Sequence, residues 1–202
     1  TQRVGGTKIT FPYTVTGMVT LYAQWGQTFA KTATPTIAGT AKVGETLTAH
    51  SGTWSPDPTL SYEWRRSGSA DIIATGSTYV LTPDDFNRTI TVSLTASSSG
   101  YQTQVVTSAA TSVVAAAAFT LTPTPTIVGT AAAGKILRAN VGEWAEPAEF
   151  TYVWKATTTA NVTTTVGTGE KYTVSGTDVG KKITVTVTAT LSGYTTKSVV
   201  SA

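Results

Sequence analysis

The sequence predicts an all-β protein: two tandem sandwiches preceded by a short β-hairpin. Three observations lead to this prediction. A long segment of the chain occurs twice, apolar side chains alternate with Thr and Ser inside each copy, and helix-forming residues are scarce. Only 12% of the 202 residues are charged, and the chain contains no Cys. Disulfide scaffolds, thiolate metal sites and cysteine catalysis are therefore excluded.

The internal repeat sets the domain organisation. The heptapeptide PTIAGTA that starts at Pro35 recurs as PTIVGTA from Pro125, at an offset of 90 residues. Three additional residues enter the second copy between 155 and 169, after which the offset is 93. An insertion that leaves both flanks in register is typical of a change in loop length. The repeat predicts one sandwich over 33–116 and a second over 121–202.

Each copy contains the pattern of a half-buried strand. Ile90, Val92 and Leu94 alternate with hydroxyl residues, and the second copy repeats the alternation over 183–188. A strict period of two predicts a strand with one face on the core. Turn residues bracket further short β-prone runs, which predicts strands at 44–50, 60–64, 70–75, 78–82 and 101–113. Six or seven short strands in about 85 residues favour a sandwich over a helical layer fold.

The first 29 residues differ from both copies. The runs ITFPYTVT from Ile9 and VTLYAQW from Val19 predict two strands. They resemble the closing part of a Listeria-Bacteroides repeat, the small β-rich unit also called the internalin B-repeat. This resemblance implies a partial B-repeat unit over 1–29. Two strands alone are marginal in water, so we expect this hairpin remnant to pack on the first sandwich or to pair its edge with another chain. A start without Met or a signal peptide suggests a fragment of a longer secreted chain.

The two copies resemble the tandem bacterial immunoglobulin-like repeats of large surface or secreted proteins, especially those of Gram-positive and actinobacterial type. The resemblance rests on PTIAGTAKVGETLTA, LSYEW, GSTYVLTPDDF and TITVSLTASSSGY and on their second-copy equivalents. It implies immunoglobulin-like β-sandwiches that act as a spacer, a stalk or an interaction module, secreted or associated with the cell wall. The sequence departs from antibody domains because it lacks their cysteine pair.

Four Trp residues form two repeated pairs. Trp64 and Trp154 lie in a predicted strand, where immunoglobulin-type sandwiches keep a core Trp. We interpret them as core rather than as sugar-stacking rings, because each ring can bury roughly 150–250 Å² and no cystine fills that volume. Trp54 and Trp144 follow a Gly in a turn. An exposed ring there would bind glycan, and a buried ring would plug the loop.

Two tyrosines complete the set of candidate ligand-binding residues. Tyr101 and Tyr194 each follow Ser-Gly in a predicted hairpin turn. An exposed Tyr at this place would serve recognition, whereas a packed one would cover the end of the sandwich. We take Trp54, Trp144, Tyr101 and Tyr194 together as the weak ligand-binding candidates of the chain.

No motif of an active site, a metal centre or a cofactor site stands out. Asp84 and Asp85 form a carboxylate pair, but the second copy keeps only Asp178, which favours an Asx turn over a Ca²⁺ site. His50 is the one His and becomes Asn140 in the second copy, which argues against a Ser-His-Asp triad or a zinc site. The 11 acidic residues are scattered rather than paired as in a glycosidase. We expect no enzyme activity, no cofactor and no metal.

Charge and hydropathy limit the classes of partner that the sequence predicts. Lys and Arg are dispersed along the sequence, so they do not indicate nucleic-acid binding. The sequence contains no run of 18 apolar residues, so we expect no membrane insertion. No Lys–Asn pair repeats, so we expect no intramolecular crosslink of the kind found in Gram-positive stalk proteins.

These observations predict a non-catalytic spacer or stalk whose partners are the other domains of its parent protein. Two sandwiches end to end would reach roughly 70–80 Å. The alternative is a carbohydrate-binding or adhesive module, accessory to a secreted enzyme or adhesin, that recognises a cell-surface glycan or a host protein.

Overall fold

The computed structural model describes residues 26–202, which are all-β apart from two 3-10 turns. The strands form four antiparallel sheets, two for each copy of the repeat. The all-β prediction is confirmed. The hairpin remnant predicted over 1–29 lies outside the described residues except for its last four.

The first module is the copy of the repeat predicted over 33–116. Its strands within the described residues are β1 Thr36–Ala38, β2 Thr46–His50, β3 Thr59–Arg66, β4 Ala74–Thr75, β5 Thr78–Val80, β6 Ile90–Ser97 and β7 Gln104–Thr107, with a 3-10 turn at Pro83–Asp85. One sheet has the order β1-β2-β5 and the other has the order β4-β3-β6-β7.

The second module, over the predicted range 121–202, repeats this topology. Its strands are β8 Thr126–Val128, β9 Ile136–Asn140, β10 Glu149–Thr157, β11 Thr163–Thr168, β12 Lys171–Thr173, β13 Lys182–Thr190 and β14 Lys197–Val200, with a 3-10 turn at Gly176–Asp178. The sheet orders are β12-β9-β8 and β11-β10-β13-β14. The three-residue insertion falls at β10 and β11, where the hairpin is longer than its counterpart β3–β4.

The predicted alternation produces the central strands. Along β6 every second side chain is fully buried, from Ile90 through Val92 and Leu94 to Ala96. The hydroxyl residues between them face outwards. The shorter strands lie at sheet edges, where fewer neighbours enforce extended geometry. Thus the strand predicted over 70–75 is reduced to the two residues of β4.

The core of each module lies between its two sheets around one Trp. Trp64 and Trp154 are fully buried, and each ring lies against a Tyr from the facing sheet, with centroids 5.9 Å from Tyr79 and 5.6 Å from Tyr172. The Trp64 indole N–H donates to the carbonyl of Gly76 at 2.9 Å. This bond removes the cost of burying the polar edge of the ring. Both rings are core residues, as the sequence predicted.

A buried carboxylate closes the turn before the sixth strand of the first module. The Asp85 side chain is inaccessible to solvent and accepts hydrogen bonds from the Tyr79 hydroxyl at 2.6 Å and from the Thr82 backbone N–H at 2.7 Å. Burial, and then the bond to Asp85, raise the pKa of Tyr79 above its ordinary value of 10.0. The carboxylate accepts a backbone N–H, as the sequence predicted, but it does so in a capping box that reaches back to Thr82 rather than in an Asx turn.

Candidate functional site

The end of the first module is tied down by backbone hydrogen bonds. The Val114 N–H donates to the carbonyl of Arg88 at 2.8 Å, and its side chain is 1% exposed. One residue further, the Ala115 N–H donates to Ala41 and the Ala115 carbonyl accepts from Val43, at 2.9 and 3.0 Å. The chain therefore leaves the first module at Ala115, whose N–H and carbonyl are both bonded to that module.

Two residues further along, the backbone is bonded to the second module. The Ala117 N–H donates to the carbonyl of Gly193 at 2.9 Å, and the Ala117 carbonyl accepts from Thr195 at 2.8 Å. Ala116 alone separates these bonds from those of Ala115. Ala117 is also buried against the core of the first module, and Tyr194 of the second module packs on that same core. The linker, residues 117–120, thus begins inside a contact between both modules.

The two modules also touch directly. Gly193 has φ of +75°, and a Cβ placed there would lie 2.8 Å from the Cα of Pro83 in the first module. Its counterpart in the first copy, Gly100, has φ of +79° but no atom within 4 Å of the same position. Both turns favour Gly for their backbone conformation. Only Gly193 is additionally required by a close approach between modules.

An aromatic cluster holds the linker on the second module. Phe119 meets the ring of Trp144 edge-on, with centroids 5.1 Å apart, and lies against Tyr194 at 5.4 Å. The other side of Trp144 contacts Phe150 at 5.4 Å, and its indole N–H donates to the Val141 carbonyl at 3.1 Å. Trp144 is half-buried in this arrangement. Its ring is engaged by the linker and by the module beneath it.

The same cluster occurs at the start of the first module. Phe29 meets Trp54 edge-on at 5.4 Å and lies against Tyr101 at 5.2 Å. The backbone of Gln27 forms the two bonds that Ala117 forms in the second copy, both at 2.8 Å. Phe29 and Trp54 are 7% and 6% exposed. Residues 27–29 are therefore held on the first module as 117–119 are held on the second.

Phe29 and Phe119 were not among the sequence-predicted site residues. They align at the same offset of 90 as the rest of the repeat, so the register extends upstream of Pro35. The signal was weak because the neighbouring residues GQT and AAA share no identity. The backbone bridges that accompany the two Phe residues have no side-chain signature, so only the structure shows them.

The four ligand-binding candidates lie in two separate clusters. Trp54 is brought together with Tyr101, and Trp144 with Tyr194, through the intervening Phe in each case. Trp54 is buried and the other three are partly buried. The structure thus shows how these rings pack, while their binding of a ligand stays a prediction.

Two properties of residues 26–202 bear on other classes of function. Within that range, no three or more His, Asp or Glu side chains are grouped so as to hold a metal ion. Nor does a helix in the described part of the chain have the length and apolar character needed to cross a membrane.

Comparison with known proteins adds no relative. No protein-family model and no curated protein matches this chain. The resemblances to immunoglobulin-like repeats and to B-repeats therefore rest on the sequence motifs.

Proposed function

We propose that this chain is a non-catalytic spacer, in which two tandem immunoglobulin-like sandwiches hold other domains of a large extracellular bacterial protein at a set separation. The observation that carries the proposal is the junction between the modules. Ala115 is bonded to the first module and Ala117 to the second, so one residue separates them. A flexible connection needs a run of unbonded residues, and this junction has none.

Side-chain packing adds to the stiffness of the junction. Phe119 is clamped between Trp144 and Tyr194, and Gly193 lies against Pro83. A bend between the modules would have to break the Gly193–Pro83 contact and the packing of Ala117 and Tyr194 on the core of the first module. The two Pro residues that follow, in the stretch TPTP from Thr122, also favour extended backbone. A stiff, weakly charged and Thr-rich segment suits a part that holds neighbouring domains apart and catalyses no reaction.

The setting of the proposed spacer follows from the resemblance. Immunoglobulin-like repeats of this type occur in surface or secreted proteins, and a spacer's partners are the neighbouring domains of the same parent protein. Secretion or attachment at the cell surface is therefore part of the proposal. A chain without Cys needs no oxidative folding step in that compartment.

The test is the distance between the modules in solution. Ser61 and Thr151 are exposed equivalents in the two modules, and the chain has no Cys to interfere with labelling. Spin labels on the double variant Ser61→Cys/Thr151→Cys should give one narrow distance distribution by pulsed electron paramagnetic resonance. A broad distribution, or small-angle scattering from modules folded side by side, would refute the spacer.

A matched pair of variants isolates the junction. Gly193→Ala and Gly100→Ala place the same side chain at nearly the same positive φ, at a backbone cost of about 1–2 kcal/mol each. Only Gly193→Ala adds a clash with Pro83. It should shift or broaden the distance distribution, whereas Gly100→Ala should leave the distribution unchanged. Equal distributions for both variants would show that this contact does not set the geometry.

One observation favours the alternative of a glycan-binding module. A surface depression of about 280 Å³ lies beside the second aromatic cluster and is lined by Phe119, Lys197 and the Thr residues 122, 195 and 196. An aromatic edge with hydroxyl and ammonium donors is suited to a sugar. Binding on a glycan array that Phe119→Ala abolishes, and that the buried counterpart Phe29→Ala retains, would favour this function over the spacer.

A further inference from the structure

Two of the three Asn residues in the sequence lie in the pattern of N-linked glycosylation. The pattern, or sequon, is Asn, then any residue except Pro, then Ser or Thr. It occurs as NRT from Asn87 and as NVT from Asn161. The third Asn, Asn140, is followed by VG and lies outside the pattern. The chain therefore carries two candidate acceptors, one in each module.

Both sequon Asn residues present their side chains to solvent. Asn87 and Asn161 are exposed, and neither carboxamide is hydrogen-bonded to another residue of the range 26–202. By contrast, the Asn140 Oδ1 accepts a hydrogen bond from the Gly142 N–H at 3.1 Å. The Asn87 and Asn161 carboxamides are thus available to react, and the two sites differ in how their backbones are held.

Asn161 lies at the tip of the β10–β11 hairpin, in a turn that is held by its own hydrogen bonds. The Thr158 N–H donates to the Val162 carbonyl and the Asn161 N–H donates to the Thr158 carbonyl, both at 2.9 Å. The Val162 N–H donates to the Thr158 hydroxyl at 3.2 Å. Residues 159–163 are all exposed, so the whole sequon lies on the surface. An enzyme can reach it without opening the sandwich.

The Asn87 sequon is bonded to two other segments of its module. The Asn87 N–H donates to the Val114 carbonyl at 3.0 Å. The Thr89 N–H donates to the Ser67 hydroxyl at 3.1 Å, and the Thr89 carbonyl accepts from the Ser67 N–H at 2.9 Å. Asn87 also has φ of +61°, and its counterpart Gly180 has φ of +79°. The position of Asn87 therefore favours a residue that tolerates positive φ, which explains this Asn without glycosylation.

We propose that Asn161 is a glycosylation site, at which a glycosyltransferase attaches a sugar that is activated as a diphosphate ester. In this reaction the carboxamide nitrogen of Asn161 forms a bond to C1 of the sugar and gives one proton to a base of the transferase. The bond between C1 and the donor's phosphate oxygen breaks, and the diphosphate leaves with the electron pair. Thr163 supplies the hydroxyl that the sequon requires two residues after the acceptor.

A sugar at Asn161 would protect an edge of the second module. β11 is an edge strand of its four-stranded sheet, and Val162, inside the sequon, is 57% exposed. An edge strand offers unpaired backbone groups to other chains, and a bulky polar group beside it hinders that pairing. The inference goes beyond the spacer function and does not rest on it, because it concerns one hairpin of one module.

The test offers the folded, intact chain to two transferases that recognise the sequon. One is a soluble enzyme with a nucleoside-diphosphate hexose, and the other is a membrane enzyme with a polyprenyl-diphosphate oligosaccharide. Intact mass and glycopeptide sequencing should show one glycan, at Asn161, in at least one arm, and that arm identifies the donor. Asn87 should be modified at least roughly tenfold more slowly, because its backbone hydrogen bonds must open first.

Matched variants separate the acceptor from the turn. Asn161→Gly keeps a residue that accepts positive φ but removes the carboxamide, so it should abolish the modification. Thr163→Val keeps the β-branched shape at the start of β11 but removes the hydroxyl, and it should abolish the modification too. Asn87→Gly should leave the modification unchanged.

Three results would overturn the proposal. One is a folded chain that stays unmodified in both arms. Another is modification of Asn87 as fast as that of Asn161, which would show that the hairpin tip is not preferred. The third is modification that persists in Thr163→Val, which would show that the sequon is not read.

Discussion

The two modules share a core and a topology but differ in the polar network around the buried carboxylate. In the first module the guanidinium Nε of Arg66 lies 3.1 Å from Asp85 Oδ1, in an ion pair without hydrogen-bond alignment. In the second module Ala156 occupies the place of Arg66, and Lys181 is the nearest cation to Asp178, at 3.9 Å. The two copies thus keep similar core residues, but a different cation lies beside the buried carboxylate in each copy.

The burial of the aromatic clusters differs in the same direction. Phe29 and Trp54 are buried, whereas Phe119 and Trp144 are only half-buried. The closer cation and the deeper aromatic burial both favour the first module. We therefore expect the first module to be the more stable of the two, and the following variants test that comparison.

The largest effect is expected from removing the core Trp. Trp64→Ala and Trp154→Ala should each cost about 3–5 kcal/mol of unfolding free energy, because both rings are fully buried. The loss should be similar in the two modules, so the less stable second module should unfold first. Amide exchange along β6 and β13 measures each module separately. A much smaller loss for Trp154→Ala would show that the second module tolerates a cavity.

A second comparison concerns the buried carboxylates. Asp85→Asn should cost about 2–3 kcal/mol, because it weakens charged hydrogen bonds and leaves Arg66 with only the exposed Asp84, 3.8 Å away, as its ion-pair partner. Asp178→Asn should cost about 1–2 kcal/mol, because Lys181 is more distant and can turn to solvent. Urea denaturation of both variants provides the values.

The control for the carboxylates is Arg66→Ala, which reproduces the second module's Ala156. Combined with Asp85→Asn, it should recover part of the loss, since it removes the guanidinium that is otherwise paired only with the exposed Asp84. An additive double variant would mean that Arg66 and Asp85 do not interact.

The aromatic clusters give a smaller difference. Phe29→Ala should cost about 2–3 kcal/mol and Phe119→Ala about 1–2 kcal/mol, because Phe29 is buried and Phe119 is only half-buried. Thermal unfolding of the two variants checks the order. If Phe119→Ala were the more harmful, the linker contact would stabilise the second module more than its exposure suggests.

Ionisation of the buried tyrosines is expected to have the smallest effect on stability at neutral pH. Burial first, and then the bonds to Asp85 and Asp178, raise the pKa of Tyr79 and Tyr172 in the folded state. Their contribution to stability is therefore complete below the unfolded pKa of 10.0 and is lost as the pH rises through the higher folded value. Burial and the charge of Glu170 also raise the pKa of Tyr152. Phenolate absorbance at 295 nm should therefore show a late-ionising fraction that contains Tyr79, Tyr152 and Tyr172.

The tyrosine assignment has its own control. Tyr79→Phe and Tyr172→Phe should each remove one of the late-ionising groups while leaving the others in place. A titration in which all tyrosines of the wild type ionise together near pH 10 would contradict the buried hydrogen bonds.

Much of the fold was predictable because strand patterns are local. The alternation from Ile90 to Leu94 places one face on the core, and the burial of Trp64 follows from its place in a similar alternation. The candidate site was less predictable. Trp54 and Tyr101 were recognised as repeated residues, but the contact that joins them is made by Phe29, which lies 25 residues or more from both.

The sequence by itself determined the all-β class, the two copies and the core residues, since each depends on periodicity or on repetition along the chain. The tertiary structure decided the rest: that Gly193 lies against Pro83, that Ala117 is bonded directly to the second module, and that Phe29 and Phe119 join the aromatic clusters. These features depend on backbone groups of residues distant in sequence. A backbone N–H or carbonyl is the same in nearly every residue, so its partner is set by packing rather than by side-chain identity.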